Sequence, residues 1–67
     1  MEKLQISLAA ARVNAGMTQE DVAKSMQITK QTLINWEKGR TWPKPAQFSY
    51  LCELYSIPKS LIFMPYA

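Results

Sequence analysis

Short helical patterns, separated by residues that begin or end helices, constrain the fold of this chain more than any other feature. Apolar residues recur three and four positions apart through most of the sequence, which is the spacing of one helix face. Gly16 and Gly39 follow two of these patterns and suit the left-handed backbone that closes a helix. Pro43 and Pro45 place the segment RTWPKP in a loop, because proline disrupts a helix interior. We therefore predict an all-α fold, a compact bundle of four to five short helices with tight turns and no strand.

The first two helices are predicted from apolar spacing and from a capping pattern. The first is expected over Gln5–Ala15, and the second begins at Thr18, with Asp21 three positions later as an approximate capping box. Their expected inward residues are Leu4, Leu8, Ala11 and Ala15 in the first helix and Val22, Ala23 and Met26 in the second. A short turn would then bring the third helix against the second, which is the arrangement of a helix-turn-helix.

The last two helices are predicted from prolines. Pro45 fits the first turn of the fourth helix, and Pro58 opens a short fifth helix that runs through Phe63 and stops at Pro65. Apolar residues spaced three and four apart form the inward side of the fourth helix: Phe48, Leu51, Leu54 and Tyr55. A chain of this length is expected to form a single domain over residues 1–67.

The segment Thr29–Gly39 is predicted to be a helix with two distinct faces. Thr29 is a natural N-cap, and Gly39 marks the end. At about 100° per residue, Leu33 and Trp36 fall on one side and are expected in the core. Five other residues point away from them together: Lys30, Gln31, Ile34, Asn35 and Lys38.

That outer face matches the chemistry of the DNA major groove. Base edges there present acceptors to lysine, donor–acceptor pairs to glutamine and asparagine, and the thymine methyl group to an aliphatic side chain such as Ile34. The hypothesis is that this face reads DNA bases. The alternative is an ordinary amphipathic helix whose exposed isoleucine has no function, since single exposed apolar residues are common.

Positive charge is concentrated around this helix. The whole chain has a net charge of +3. Residues 24–44 contain five lysines and arginines against the single acid Glu37, so this region has a charge of +4 and the rest of the chain −1. The asymmetry favours a patch for an anionic partner, and a solvated charged face is the alternative.

The residue content argues against an enzyme. The chain has no histidine, a single cysteine (Cys52), two glycines and five scattered acids. Histidine-based catalysis, ordinary zinc sites and a glycine-rich phosphate loop therefore lack their residues. We expect no catalytic residue, metal, cofactor or small-molecule substrate.

The lone cysteine indicates a reducing compartment, and no apolar run is long enough for a membrane span or a signal peptide. A cytoplasmic protein without a membrane partner is expected.

Residues 18–40, TQEDVAKSMQITKQTLINWEKGR, resemble the helix-turn-helix of the phage Cro/repressor-like (Xre-type) family. That family's pattern is roughly T-Q-x-x-[LV]-A-x-x-x-[GN]-[VI]-[ST]-x-x-x-[IL]-x-x-[WI]-E-x-G-[RK]. The matching positions are Thr18, Gln19, Val22, Ala23, Ile28, Thr29, Leu33, Trp36, Glu37, Gly39 and Arg40. The flanking segments also fit, so the likeness covers nearly the whole chain.

The resemblance implies a lambda repressor-like domain of five helices, with the helix-turn-helix core at residues 18–39. It implies a sequence-specific regulator of transcription, a repressor that binds a double-stranded DNA operator as a homodimer, with its third helix in the major groove. Carried over position by position, four residues would face bases: Lys30, Gln31, Ile34 and Asn35. Five would contact the DNA backbone: Thr18, Gln19, Thr29, Lys38 and Arg40. Gln19 would also brace Gln31 or a nearby phosphate.

The resemblance also implies one ion pair, and two positions depart from the family pattern. Arg12 and Glu37 would form a pair that ties the first helix to the end of the third; two solvent-exposed charges are the alternative. Gln27 stands where the family often has glycine, and a left-handed backbone there costs on the order of 1 kcal/mol. Trp42 stands where a charged or small residue is common, and it is expected to pack on the fourth helix or to rest against sugar–phosphate.

Three hypotheses about the function remain, and the first is the DNA-binding regulator that the resemblance implies. A homodimer would form through the loop before the fourth helix or the apolar tail SLIFMPYA, and the protein would act at the nucleoid of a bacterial host. The second hypothesis is a protein-interaction module of the same fold, such as an antitoxin or a repressor modulator, in which the same surfaces bind protein. Non-specific DNA binding is a third, weaker reading.

Overall fold

Four α-helices and one turn of 3-10 helix make up the part of the chain that the computed structural model describes, residues 5–62. The order is α1 (Leu8–Asn14), α2 (Gln19–Met26), α3 (Lys30–Glu37), α4 (Pro45–Leu54) and a 3-10 turn at Lys59–Leu61. The predicted all-α fold is therefore confirmed. No helix in this part of the chain is long and apolar enough to cross a membrane.

The helix α1 is shorter than predicted at both ends. Its N-cap is Ser7, whose hydroxyl accepts a hydrogen bond from the Ala10 backbone N–H at 3.0 Å. The predicted start at Gln5 is wrong, because Ile6 instead forms an isolated β-bridge with Ile62. Ala15 is the C-cap and is exposed, so its predicted inward position is also wrong. The predicted inward residue Leu4 lies outside the described residues.

Threonine N-caps begin α2 and α3 as predicted. The Asp21 N–H donates to Thr18 Oγ1 at 3.0 Å and the Thr18 N–H donates to Asp21 Oδ2 at 2.9 Å, which completes the capping box. These hydrogen bonds to Thr18 hold the pKa of the Asp21 carboxyl below its usual value. Thr29 accepts from the Thr32 N–H at 3.1 Å. The helix α3 ends at Glu37, two residues before Gly39, which takes the left-handed backbone expected after a helix.

The helix α4 and the turn after it follow the prolines. Pro45 is the first residue of α4, where its missing N–H is not needed. The predicted fifth helix is only a 3-10 turn preceded by Pro58. The positions Phe63 and Pro65, which were expected to end that helix, lie outside the described residues.

The core is assembled from all four helices and from the end of the described chain. Its buried members are Leu8, Ala11, Val22, Leu33, Trp36, Phe48, Leu51, Cys52, Tyr55 and Ile62. Most were predicted from helical spacing, and the predicted inward residues Met26 and Leu54 pack against this cluster while partly exposed. Leu33 and Leu51 have no exposed surface, and complete burial of such a side chain stabilises a fold by about 1.5–3 kcal/mol.

One backbone pairing between distant segments was not predicted. Ile6 and Ile62 form an isolated parallel β-bridge, in which the Ile6 N–H donates to the Leu61 carbonyl at 2.7 Å. The contact brings the two ends of the described chain together. It depends on residues far apart in sequence, so apolar spacing along the chain does not reveal it.

Candidate nucleic-acid interface

A three-residue turn sets the angle between α2 and α3. Gln27 closes α2 with φ 57° and ψ 43°, a left-handed conformation in a residue other than glycine. The Ile28 N–H donates to the Ala23 carbonyl at 3.0 Å, which satisfies a backbone acceptor at the end of α2. Val22 and Ala23 are buried and α2 contacts α3, and the small Ala23 side chain permits the close approach of the two helices.

The helix α3 presents the face that the sequence predicts. Leu33 and Trp36 are buried, with 0% and 5% of their surface exposed, and they hold the helix against the core. On the opposite side, Gln31 is exposed and its Nε2 donates to Asn35 Oδ1 at 3.0 Å. The two amides are therefore already oriented side by side. Ile34 and Asn35 are partly buried rather than fully exposed.

Four of the five residues expected at the DNA backbone have exposed side chains: Thr18, Thr29, Lys38 and Arg40. The hydroxyls of Thr18 and Thr29 accept backbone N–H groups at the helix starts. The Thr18 hydroxyl can still donate to another oxygen, whereas the Thr29 hydroxyl also shares a hydrogen bond of 2.9 Å with Thr32 Oγ1. These residues lie at the beginnings of α2 and α3 and just beyond the end of α3, so they flank the outer face of α3.

Gln19 has a different partner from the one that was expected. Its Nε2 donates to Glu37 Oε1 at 3.0 Å, and Gln19 is partly buried. The predicted bracing of Gln31 by Gln19 is wrong, since Gln31 bonds Asn35 within α3. Glu37 competes successfully because it is an ionised acceptor, and hydrogen bonds to charged groups are stronger than those to neutral amides.

The expected ion pair between Arg12 and Glu37 is present and partly buried. Arg12 Nε lies 2.8 Å from Glu37 Oε2, and the two side chains are only 14% and 6% exposed. Arg12 Nη1 also donates to the Met17 carbonyl at 3.0 Å. Together with Gln19, the network ties α1, the loop after it, the start of α2 and the end of α3. The contributions of Gln19 and Met17 were not predicted.

A second ion pair joins the first turns of α2 and α3. Lys30 Nζ lies 2.9 Å from Glu20 Oε2, and the side chains are 48% and 68% exposed. The hydrogen bond and charge of Lys30 lower the pKa of the Glu20 carboxyl. In the sequence, Glu20 is one of five scattered acids, and its pairing with Lys30 was not predicted. The sequence does contain one indication of this ion pair: residues 20 and 30 both lie in the first turn of consecutive helices and have opposite charges.

Trp42 lies in the loop between α3 and α4 and is 40% exposed. A Cβ atom on Gly39 would stand 3.8 Å from its indole ring, so the ring lies against the backbone at the end of α3. Packing on α4 and contact with sugar–phosphate both stay predictions.

The fold and this surface define a helix-turn-helix domain of the DNA-binding kind. Residues 8–62 match the profile of the helix-turn-helix family HTH_3, which is most of the chain. The chain belongs to this family, whose members are Cro/C1-type, Xre-like regulators that bind double-stranded DNA. The family is one of DNA-binding regulators and not of enzymes. Comparisons with curated proteins and with solved structures give no match.

Proposed function

We propose that this member of the family is a sequence-specific transcriptional repressor, which occupies an operator by placing α3 in the major groove. The observation that supports this most strongly is the two-sided character of α3. Leu33 and Trp36 are buried, whereas Lys30 and Gln31 are exposed on the other side. A helix held in this way can enter the groove without disturbing the core.

The proposed roles of the side chains follow from their chemistry. Four residues face bases: Lys30, Gln31, Ile34 and Asn35. Lysine donates to guanine acceptors, and each amide can donate and accept at once on adenine. The amide pair has its donor and acceptor groups already arranged, so less side-chain freedom is lost on binding. Ile34 packs against a thymine methyl group and loses its remaining contact with water.

Contacts to the DNA backbone supply most of the affinity in this proposal. The residues concerned are Thr18, Gln19, Thr29, Lys38 and Arg40. The positive charge of residues 24–44 attracts the phosphates, and each neutralised phosphate releases counterions into the solvent. One N–H of the Gln19 side-chain amide is engaged by Glu37, so its phosphate contact is made with the second amide N–H or with its backbone N–H at the start of α2.

The proposed assembly is a homodimer on two half-sites about one helical turn of DNA apart. A single domain of this size covers little DNA, and a second copy doubles the contacts. In this proposal residues 1–67 act as one domain in the cytoplasm, at the nucleoid of a bacterium or of a phage-infected cell. No cofactor or small-molecule substrate is part of it.

Selection from a random double-stranded DNA library tests the proposal. The protein should enrich one sequence, protect it from cleavage, and retain a preference for it over scrambled DNA at several salt concentrations. Binding that weakens steeply with salt and shows no preferred sequence would identify a non-specific DNA-binding protein instead. No retardation of any DNA at low salt would favour the second candidate, a protein-interaction module such as an antitoxin or repressor modulator.

A further inference from the structure

Glu20 places a carboxylate beside the proposed base-reading residue Lys30. The two side chains come from different helices, lie 2.9 Å apart and remain largely exposed. Lys30 Nζ donates a hydrogen bond to Oε2 of the Glu20 carboxylate. The pair is therefore a donor and an acceptor held side by side at the edge of the outer face of α3.

The spacing of this pair matches the major-groove edge of a G·C base pair. Guanine O6 is an acceptor and cytosine N4 is a donor, and the two atoms are joined by a base-pair hydrogen bond of about 2.9 Å. A lysine ammonium can donate to O6 and N7 of the guanine. A carboxylate beside it can accept the groove-facing hydrogen of N4 on the cytosine.

The other three base pairs fit this donor and acceptor less well. In C·G the order of donor and acceptors is reversed, so the ammonium would meet an amino group. In A·T the adenine amino group stands where guanine O6 would be. In T·A the order of acceptor and donor is retained, but a methyl group replaces the second acceptor, guanine N7.

We propose that Lys30 and Glu20 act as one unit that reads a single G·C base pair, with Lys30 on the guanine and Glu20 on the cytosine. This rests on the proposed function, and it assigns to Glu20 a specificity role that was not predicted. A lone carboxylate would be repelled by the phosphates, but the adjacent ammonium neutralises it. The lowered pKa of Glu20 agrees with a carboxylate that stays ionised beside Lys30.

The test compares Glu20→Ala and Lys30→Ala with the wild type in selections from a random duplex library. Glu53→Ala is the matched control, since Glu53 is an exposed acid on α4 and makes no ion pair among the described residues. Both test variants should lose the preference for G·C at the same position, and the control should keep it. In titrations with four duplexes that differ only there, Glu20→Ala should reduce the preference for G·C by about tenfold.

Each outcome bears on the proposal. If the wild type enriches no sequence, the proposed function and this inference both fail. If the wild type enriches a site but Glu20→Ala keeps the same preference among the four duplexes, as is expected of the control Glu53→Ala, the inference alone fails. Loss of preference at a position different from that of Lys30→Ala also overturns it. Glu20→Gln preserves side-chain length and provides a second variant, which should relax the same position because its amide can donate as well as accept.

Discussion

The Tyr55 hydroxyl is a polar group that the core encloses at an energetic cost. The residue is 6% exposed, and its hydroxyl has no hydrogen-bond partner among the described residues. Burial, and secondarily the nearby negative charge of Glu37, raise the pKa of Tyr55 to about 12. A buried hydroxyl without a partner loses its bonds to water and gains nothing in exchange.

Tyr55→Phe should therefore leave the fold at least as stable as the wild type, with a gain of up to about 1–2 kcal/mol. Urea unfolding followed by circular dichroism measures this at neutral pH.

The pKa shift of Tyr55 also predicts a pH dependence of stability. The unfolded tyrosine loses its proton near its usual pKa of about 10, whereas the folded one keeps it to about 12. Stability is fully present below pH 10 and should fall as the pH rises towards 12. A matching decline in Tyr55→Phe would contradict this cause.

Substitutions on and beside α3 should separate base reading from backbone contact. Asn35→Ala should alter base preference at one or two positions and cost roughly 1–3 kcal/mol on the preferred site. Equal losses on every sequence for Asn35→Ala would count against base reading.

Lys38→Ala should weaken binding to all sequences equally and reduce the slope of log affinity against log salt by about one. Lys59→Ala removes the same charge from the 3-10 turn and serves as the control.

At the scale of elements, the turn between α2 and α3 contains local strain. Gln27 adopts a left-handed backbone, which costs a residue with a side chain roughly 1–2 kcal/mol relative to glycine. Gln27→Gly should therefore stabilise the protein, by about 0.5–1 kcal/mol after the greater freedom of glycine in the unfolded chain is subtracted. Thermal unfolding measures the change. Ser25→Gly, inside α2, is the control and should destabilise, and stabilisation by both substitutions would refute a backbone cause.

The Arg12–Glu37 pair links elements more firmly than an exposed pair would. Glu37→Ala leaves the Arg12 guanidinium and the Gln19 amide without their shared acceptor in a partly buried place. We expect a loss of more than the ~1 kcal/mol typical of exposed pairs, approaching the ~3–5 kcal/mol of a broken buried pair. Chemical denaturation provides the measurement. Glu20→Ala breaks the exposed pair with Lys30 and is the comparison, and similar losses for both would show that burial adds nothing.

At the scale of the whole molecule, the spacing of half-sites tests the proposed dimer. Two half-sites one turn apart lie on the same side of DNA, whereas five additional base pairs rotate one of them by about half a turn. Affinity for the two-site duplex should therefore fall towards that for a single half-site after the insertion. Ten additional base pairs restore the alignment and form the control. Binding that ignores the spacing would indicate that monomers bind independently.

The sequence alone was enough for the order of the helices, most of the core and the two faces of α3. The capping residues Thr18 and Thr29 and the inward spacing around Leu33 are local patterns that operate within one or two helical turns, so they can be recognised without tertiary information. The family pattern added the Arg12–Glu37 pair. What only the tertiary structure decided are contacts between distant segments: the bridge of Ile6 with Ile62, the partner of Gln19, and the pairing of Glu20 with Lys30. These depend on how helices lie against each other, and side-chain hydrogen bonds form with whichever charged group that geometry brings within about 3 Å.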